Sequence, residues 1–201
     1  WIIGASNAVN LIDGMDGLSG GVSAIAALFL SIIAISLGNL VTAFIAFAMF
    51  GSLIGFLIFN FPPAKIFIGD SGALFLGFAL ATLPLLEINY HSDMTLIISI
   101  TILFIPVIDT LTSMLRRLRR GQSPFAPDRE HIHHKLMDRN FSTKQILFTI
   151  YSVSFLLCLV LLIWSITDNT VFINITLGLW VLIILISLIL EKHHADKKPR
   201  S

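Results

Sequence analysis

The sequence predicts an all-α, polytopic membrane protein with about six transmembrane helices. Three observations indicate this class. Hydrophobic residues make up 56% of the 201 residues and charged residues only 12%, and the mean hydropathy is +0.90. Soluble domains carry about 25% charged residues, so this chain is suited to lipid rather than to water. The other two observations are six apolar stretches of membrane-spanning length and a strong asymmetry of basic residues between the loops.

Short polar segments separate the six predicted spans. Gly38-Asn39 predicts a tight turn between the first two spans, and Asp168-Asn169 predicts another between the last two. Ser142 resembles a helix N-cap that opens the fifth span. The predicted spans are Val22–Leu37, Leu40–Phe59, Ser71–Leu86, Met94–Ser113, Gln145–Ile166 and Val171–Leu190.

The basic residues predict which loops face the cytoplasm. When the loops are placed on alternate sides, all 13 Lys and Arg fall on one side, and the other side carries acidic residues but no basic one. Under the positive-inside rule the basic side is cytoplasmic. The sequence therefore predicts a multi-pass protein of the plasma membrane with its longer polar loops in the cytoplasm. These loops are residues 1–21, 60–70, 114–144 and 191–201.

The two ends and the single cysteine add little chemistry. The chain begins Trp-Ile-Ile-Gly, without Met, which resembles the tail of a membrane helix, so we expect one membrane domain over 1–201 that is the C-terminal part of a longer protein. Cys158 lies among Leu and Val residues. A lone cysteine excludes a disulfide framework and a cysteine-based zinc site.

Asn7, Asn10, Asp13 and Asp16 form the first candidate site. Their three-residue spacing keeps the side chains on neighbouring faces of one helical turn. Two carboxylates and two carboxamides suit a divalent cation and the polar edges of a ligand. An ordinary loop built on Asp-Gly turns is the alternative. The glycines that weaken helix continuation here are Gly14, Gly17, Gly20 and Gly21.

The second candidate loop contains Phe67 and Asp70. The preceding Pro62-Pro63 predicts the end of a helix. Asp70 is interpreted either as an N-cap that satisfies free backbone N–H groups or as a Mg²⁺ ligand near the other carboxylates. Phe67 could stack on a base, although an interfacial Phe needs no such role.

The third candidate loop is rich in arginine and histidine. The arginines at 116–120 are explained by anchoring to the cytoplasmic face and to anionic lipids. Three histidines follow within four residues, and they suggest either a zinc site or hydrogen-bond donors to phosphate, with Arg129 supplying a planar charged fork. They cannot all face one ion from a single regular helix. These histidines are His131, His133 and His134.

Asp109 lies within a predicted span. A carboxylate at membrane depth is costly and is a functional candidate by default. Pairing with Arg116 or Arg117, seven and eight residues further on, is the competing structural account.

Taken together, three motifs resemble the polyprenyl-phosphate N-acetylhexosamine-1-phosphate transferases, in the branch that uses UDP-N-acetylglucosamine (UDP-GlcNAc). The resemblance covers nearly the whole chain, and the order and spacing of the motifs are highly specific. The motifs are NAVNLIDGMDGL at 7–18, FIGDSG at 67–72 and SPFAPDREHIHH at 123–134.

This resemblance implies transfer of GlcNAc-1-phosphate from UDP-GlcNAc to undecaprenyl phosphate, with release of UMP, as the first membrane step of teichoic-acid linkage units, O-antigen or a related glycan. It implies dependence on Mg²⁺, with Mn²⁺ as a substitute, and a metal held by Asp70 and Asp16. The implied catalytic residues are Asp13, Asp16, Asp70 and His133. The substrate-binding residues that it implies are Asn10, Arg129, His131 and His134, and from the patterns above we expect Asn7 and Phe67 to join them.

One departure from the family pattern is the absence of a pair of adjacent aspartates, which the family carries on an earlier cytoplasmic loop. We therefore expect the 201 residues alone to be inactive. Expected partners are UDP-GlcNAc, undecaprenyl phosphate, membrane lipids and a second copy in a homodimer, but no nucleic acid. The alternatives are the phospho-MurNAc-pentapeptide transferase branch, a membrane metal-ion transporter and an anchor without chemistry.

Overall fold

The computed structural model describes residues 1–86, 92–124 and 131–197, and these residues form helices joined by short loops. Helices α1 to α4 span Ile2–Ile12, Leu18–Ser36, Leu40–Asn60 and Gly69–Thr82, and a 3-10 turn, Leu83–Leu86, follows α4. Helices α5 to α9 span Ser92–Ile102, Phe104–Arg119, Ile132–Met137, Thr143–Thr167 and Thr170–Lys197.

The all-α membrane class is confirmed. Among the described residues, five helices are long and apolar enough to cross a bilayer, and α5 with α6 makes a sixth if this bent pair counts as one span. The predicted turns also form. Gly38 adopts a positive φ of 83° before α3, and Asp168 ends α8 in the left-handed conformation. Ser142 and Gln145 form a reciprocal capping box at the start of α8.

The fourth predicted span, Met94–Ser113, forms a bent pair of helices rather than one straight helix. The chain bends by 76° between α5 and α6. Pro106 explains the break, because it has no N–H to donate to the carbonyl of Ile102, and its ring would clash with that carbonyl in a continuous helix. Helix α5 accordingly ends at Ile102, and Pro106 lies in the first turn of α6, where proline is tolerated.

Helix α2 lies at the centre of the bundle and packs on α3, α4 and α8. In its most apolar stretch 78% of residues are buried, against 11% in α9, which places α9 at the lipid-facing periphery. Small residues on α2 let its neighbours approach closely, as membrane helices require. Those buried on α2 include Ser19, Gly20, Gly21, Ser23, Ala24, Ala26 and Ala27.

Two of the glycines expected to interrupt a helix instead lie inside one. Gly20 and Gly21 belong to α2. At Gly21 the reason is close packing, because a Cβ there would lie 1.9 Å from the Tyr151 hydroxyl oxygen. Gly17 is the position that needs conformational freedom, since its φ of 79° is left-handed.

Candidate active site

The site begins with the antiparallel crossing of α1 and α4. Near the start of α1 the Trp1 indole donates to the carbonyl of Ala81, with 3.3 Å between nitrogen and oxygen. Further along, Gly77 packs directly on the backbone of Ser6, because a Cβ at Gly77 would lie 2.6 Å from the Ser6 Cα. This register carries the end of α1, with Asp13, towards the start of α4, with Asp70.

Asp13 is the half-buried residue that ends α1. Burial raises the pKa of its carboxyl above the ordinary value, the hydrogen bond donated by the Ser19 hydroxyl opposes this, and the negative charge of Asp70 raises the pKa further. Two carboxylates thus act on each other electrostatically although they come from different loops. A cation between them would relieve this repulsion.

Hydrogen bonds fasten the 13–17 loop to the 60–66 segment. The Asp16 carboxylate accepts from the backbone N–H of Ala64, with 3.0 Å between the atoms. Asn60 is buried, and its Oδ1 accepts from the Gly17 N–H at 3.0 Å while its Nδ2 donates to the Ile66 carbonyl at 2.8 Å. From a third element, the Tyr151 hydroxyl of α8 donates to the carbonyl of Gly17.

Phe67 and Asp70 lie at the open side of this arrangement. Phe67 is 74% exposed and lines a pocket of about 170 Å³ together with Asp13 and Asp16. Asp70 is exposed in the first turn of α4. The N-cap position is Ile68, and it makes no side-chain capping bond. The capping interpretation of Asp70 is therefore not supported.

The histidine segment, residues 131–134, packs against the 13–17 loop. His131 precedes α7 in an extended conformation. His133 is 1% exposed, and its Nε2 faces Gly14, where an added Cβ would lie only 2.9 Å away. The rings of His133 and the half-buried His134 have their centroids 4.1 Å apart. The histidine segment, the 13–17 loop and the start of α4 therefore converge at one end of the bundle.

His133 is the most perturbed of these groups. Burial lowers its pKa to about 4, and the charge of His134 lowers it as well. Neither ring nitrogen has a hydrogen-bond partner among the described residues. A neutral, unpartnered imidazole beside the Gly14 backbone is a group that a ligand could engage.

Acidification is expected to destabilise the fold through His133. Its pKa is about 4 when folded and 6.5 when solvated, so between these values the unfolded chain binds the additional proton. This contribution to stability is fully present above the solvated pKa and is lost as the pH falls towards the folded one. We expect the melting temperature of His133→Gln to decline less than that of the unaltered protein over this interval, by about 4 °C. Equal declines would contradict a buried neutral imidazole.

The other residues predicted to bind substrate are His131, Asn7, Asn10 and Arg129. His131 is 4% exposed, and its Nδ1 contacts the Asp109 carboxylate at 2.9 Å, so His131 is committed to a protein partner. Asn7 is exposed and lines a different, apolar cleft, and Asn10 is half-buried on α1. Arg129 lies outside the described residues.

Few side chains in the described part of the protein could act as ligands for the predicted Mg²⁺. Among the described residues, no group of three or more His, Cys, Asp or Glu side chains is arranged to hold a metal ion. The charge of Asp70 acts on the Asp13 carboxyl, and the Asp16 carboxylate accepts from the Ala64 N–H. Mg²⁺ suits such a site, because it keeps several waters and needs only one or two protein carboxylates.

An apolar cleft of about 670 Å³ opens beside the site, between α1, α4 and α6. Leu74, Phe78, Val107 and Leu111 line it, with Asn7 among its few polar residues. Its size and lining suit a hydrocarbon chain.

Sequence reasoning missed Asn60 and Tyr151 and left the role of Asp109 open. A polar Asn at the end of an apolar helix, just before two prolines, was the available signal for Asn60. Tyr151 gave no such signal, because one Tyr in an apolar helix is ordinary. The partner of Asp109 is 22 residues away across a loop, so spacing could not identify it.

Comparison with known proteins agrees with the sequence motifs. Residues 1–88 match the family model described as glycosyl transferase family 4. A probable undecaprenyl-phosphate N-acetylglucosaminyl 1-phosphate transferase of Bacillus subtilis (strain 168) is 37% identical over 192 residues, which cover 95% of this chain and 53% of the relative.

Two further relatives carry similar names. An undecaprenyl-phosphate alpha-N-acetylglucosaminyl 1-phosphate transferase of Yersinia pestis is 33% identical, covering 70% of this chain and 40% of the relative. A decaprenyl-phosphate N-acetylglucosaminephosphotransferase of Mycobacterium leprae is 36% identical, covering 54% and 30%. The chain thus spans about half, or less, of the length of these relatives. The resemblance drawn from the three motifs is confirmed by the names of these relatives and, over residues 1–88, by the match to the glycosyl transferase family 4 model.

Proposed function

We propose that this protein transfers GlcNAc-1-phosphate from UDP-GlcNAc to undecaprenyl phosphate. A phosphate oxygen of the lipid attacks the phosphorus that bears the sugar. A new P–O bond forms, the bond to the oxygen bridging the two phosphorus atoms breaks, and UMP leaves with that electron pair. The acceptor is already an anion, so catalysis depends mainly on positioning and on charge stabilisation.

The observation that carries this proposal is the convergence of three loops on one end of the bundle. Asp13 and Asp70 act on each other electrostatically, and His133 packs on Gly14 between the two aspartates of the first loop. Acidic residues, imidazoles and the exposed Phe67 ring together match what a metal-bound sugar nucleotide requires.

Mg²⁺ fits this donor set through Asp70 and Asp13. When bound, it would neutralise charge on the phosphate oxygens. The two proposed ligands come from different helices. The Ser19 hydroxyl donates to the Asp13 carboxylate at the end of α1, and Asp70 lies in the first turn of α4. We assign Asp16 mainly to holding the loop, because its carboxylate accepts from the Ala64 N–H.

The remaining residues are assigned to the two substrates. Phe67, which lines the pocket beside Asp13 and Asp16, is proposed to stack on the uracil ring. His133, His134 and Arg129 are proposed to donate to the pyrophosphate and to oppose the charge that builds up as UMP departs. The 670 Å³ cleft is proposed to receive the first isoprene units of the lipid.

The names of two relatives support the lipid acceptor and the transferred group, because they specify undecaprenyl phosphate and N-acetylglucosaminyl 1-phosphate transfer. We further propose that the converging loops face the cytoplasm, where a nucleotide sugar is available. All basic residues of the sequence lie on that side of the predicted topology.

The test is a transfer assay with the full-length protein in membranes or detergent. We expect radiolabel to move from UDP-GlcNAc to undecaprenyl phosphate with one UMP released per lipid product, and we expect the reaction to stop when Mg²⁺ is chelated. Product formed equally well without divalent cation would contradict the metal assignment. Absence of any lipid product would refute the proposed reaction.

A further inference from the structure

Asp109 is a buried carboxylate that the proposed reaction does not use. It lies on α6, is 2% exposed and belongs to a helix at the membrane. Burying a carboxylate is costly unless charge or hydrogen bonds compensate it. The partners of this side chain therefore indicate why it is tolerated.

Both carboxylate oxygens of Asp109 are engaged by the start of the histidine segment. Oδ2 lies 2.9 Å from Nδ1 of His131, and Oδ1 accepts from the backbone N–H of Ile132 at 2.8 Å. Ile132 is the first residue of α7, and His131, at the N-cap position, provides no side-chain cap. Asp109 thus supplies the acceptor that the first turn of α7 otherwise lacks.

This anchor fixes the next residues of α7. One residue after Ile132, the His133 ring lies parallel to that of His131, with 6.1 Å between centroids. Its Nε2 faces Gly14, beside Asp13. On its own, α7 would be only marginally stable, because its six residues form about one and a half turns. It therefore needs an outside contact to hold this orientation.

We propose that Asp109 is a positioning residue that holds the histidine segment, and His133 in particular, against the 13–17 loop for the transfer reaction. The inference rests on the proposed function, but it makes a separate structural claim. A carboxylate bonded to Nδ1 also orients the His131 ring and keeps the proton on that nitrogen. Asp109 itself touches no substrate in this proposal, because both of its oxygens are occupied by α7.

The structural part is tested by labelling histidines with diethyl pyrocarbonate in the full-length protein, with mass spectrometry of each site. In Asp109→Asn, which keeps the shape but loses the charge, we expect His133 to react about tenfold faster than in the unaltered protein, because the segment opens more often. The matched control is Thr112→Val on the same helix. Thr112 is equally buried, but among the described residues its hydroxyl bonds to the carbonyls of Ile108 and Asp109 within α6. In Thr112→Val, His133 should react at the same rate as in the unaltered protein.

The catalytic part is tested by a double-mutant cycle. We expect Asp109→Asn to lower kcat/KM for UDP-GlcNAc about a hundredfold, since misplacement by about 1 Å can have this effect. His131→Ala removes the same contact from the loop side and leaves α6 unaltered. If Asp109 acts through His131, adding Asp109→Asn to His131→Ala should cause little further loss.

The outcomes separate this inference from the proposed function. Unchanged labelling of His133 in both Asp109→Asn and His131→Ala would overturn the positioning role, whatever the activities. Fully multiplicative losses in the double variant would also overturn it. An unaltered protein that makes no lipid product would instead refute the proposed reaction, while the labelling still reports whether Asp109 holds the segment.

Discussion

Replacing Gly77 by alanine is expected to force α1 and α4 apart and to lower the melting temperature by about 5 °C. The added Cβ would lie 2.6 Å from the Ser6 Cα and 3.0 Å from the Ala5 carbonyl oxygen. Both neighbours are backbone atoms, so no side chain can rotate away and one helix must shift. The shift would also separate Asp13 from Asp70, and transfer activity should therefore fall with stability.

Gly55→Ala is the matched control, because Gly55 lies within α3 and an added Cβ there meets nothing within 4 Å. Alanine is favoured over glycine in a helix interior by about 1 kcal/mol, so this variant should be as stable as the unaltered protein or slightly more so. Thermal unfolding in one detergent, followed by size-exclusion fluorescence, measures both variants. A Gly77→Ala protein as stable as the control would contradict the tight crossing.

The fold was predictable wherever local chemistry decides it. Long apolar runs predicted the spans, and Gly38, Ser142 and Asp168 predicted helix ends correctly, because turn and cap preferences depend on a few neighbouring residues. The break within the fourth predicted span was missed although Pro106 signals it. Hydropathy alone reports how long an apolar stretch is, but not whether it is straight.

The candidate site was predictable as a set of loops but not as a set of contacts. The sequence singled out Asp13, Asp70 and His133, which the structure brings together. The sequence could not predict the different contacts of Asp16 and Asp13. The Asp16 carboxylate accepts from the Ala64 N–H, and the charge of Asp70 raises the pKa of Asp13. That difference arises from how the loops pack, and residue spacing within one loop does not encode it.

His131 illustrates the same limit. Three histidines within four residues suggested three equivalent phosphate donors or zinc ligands. Their burial and partners differ, since His131 contacts Asp109, His133 faces Gly14, and His134 is half-buried. Helical geometry predicted that they diverge, but only the tertiary structure assigns a partner to each.

Replacing Asp70 by asparagine is expected to reduce turnover about a thousandfold while leaving the protein folded. Loss of the charge weakens the binding of a hard cation and removes several kcal/mol of charge stabilisation from the transition state. Asp70 is exposed and makes no capping bond, so its carboxylate contributes little to the fold. We also expect the Mg²⁺ concentration for half-maximal activity to rise, and a titration of activity against Mg²⁺ at saturating UDP-GlcNAc measures both effects.

Asp168→Asn provides the control for this prediction, because it makes the same change of charge at the turn after α8, at the opposite end of that helix from Ser142. Asparagine tolerates the left-handed conformation of this position, where φ is 48°. The control should therefore keep both its melting temperature and its Mg²⁺ dependence. If Asp70→Asn retains near-normal turnover at limiting Mg²⁺, Asp70 is not a metal ligand and the pairing of Asp13 with Asp70 has no catalytic role. If turnover falls but more Mg²⁺ restores it in full, the carboxylate serves binding of the ion rather than the chemical step.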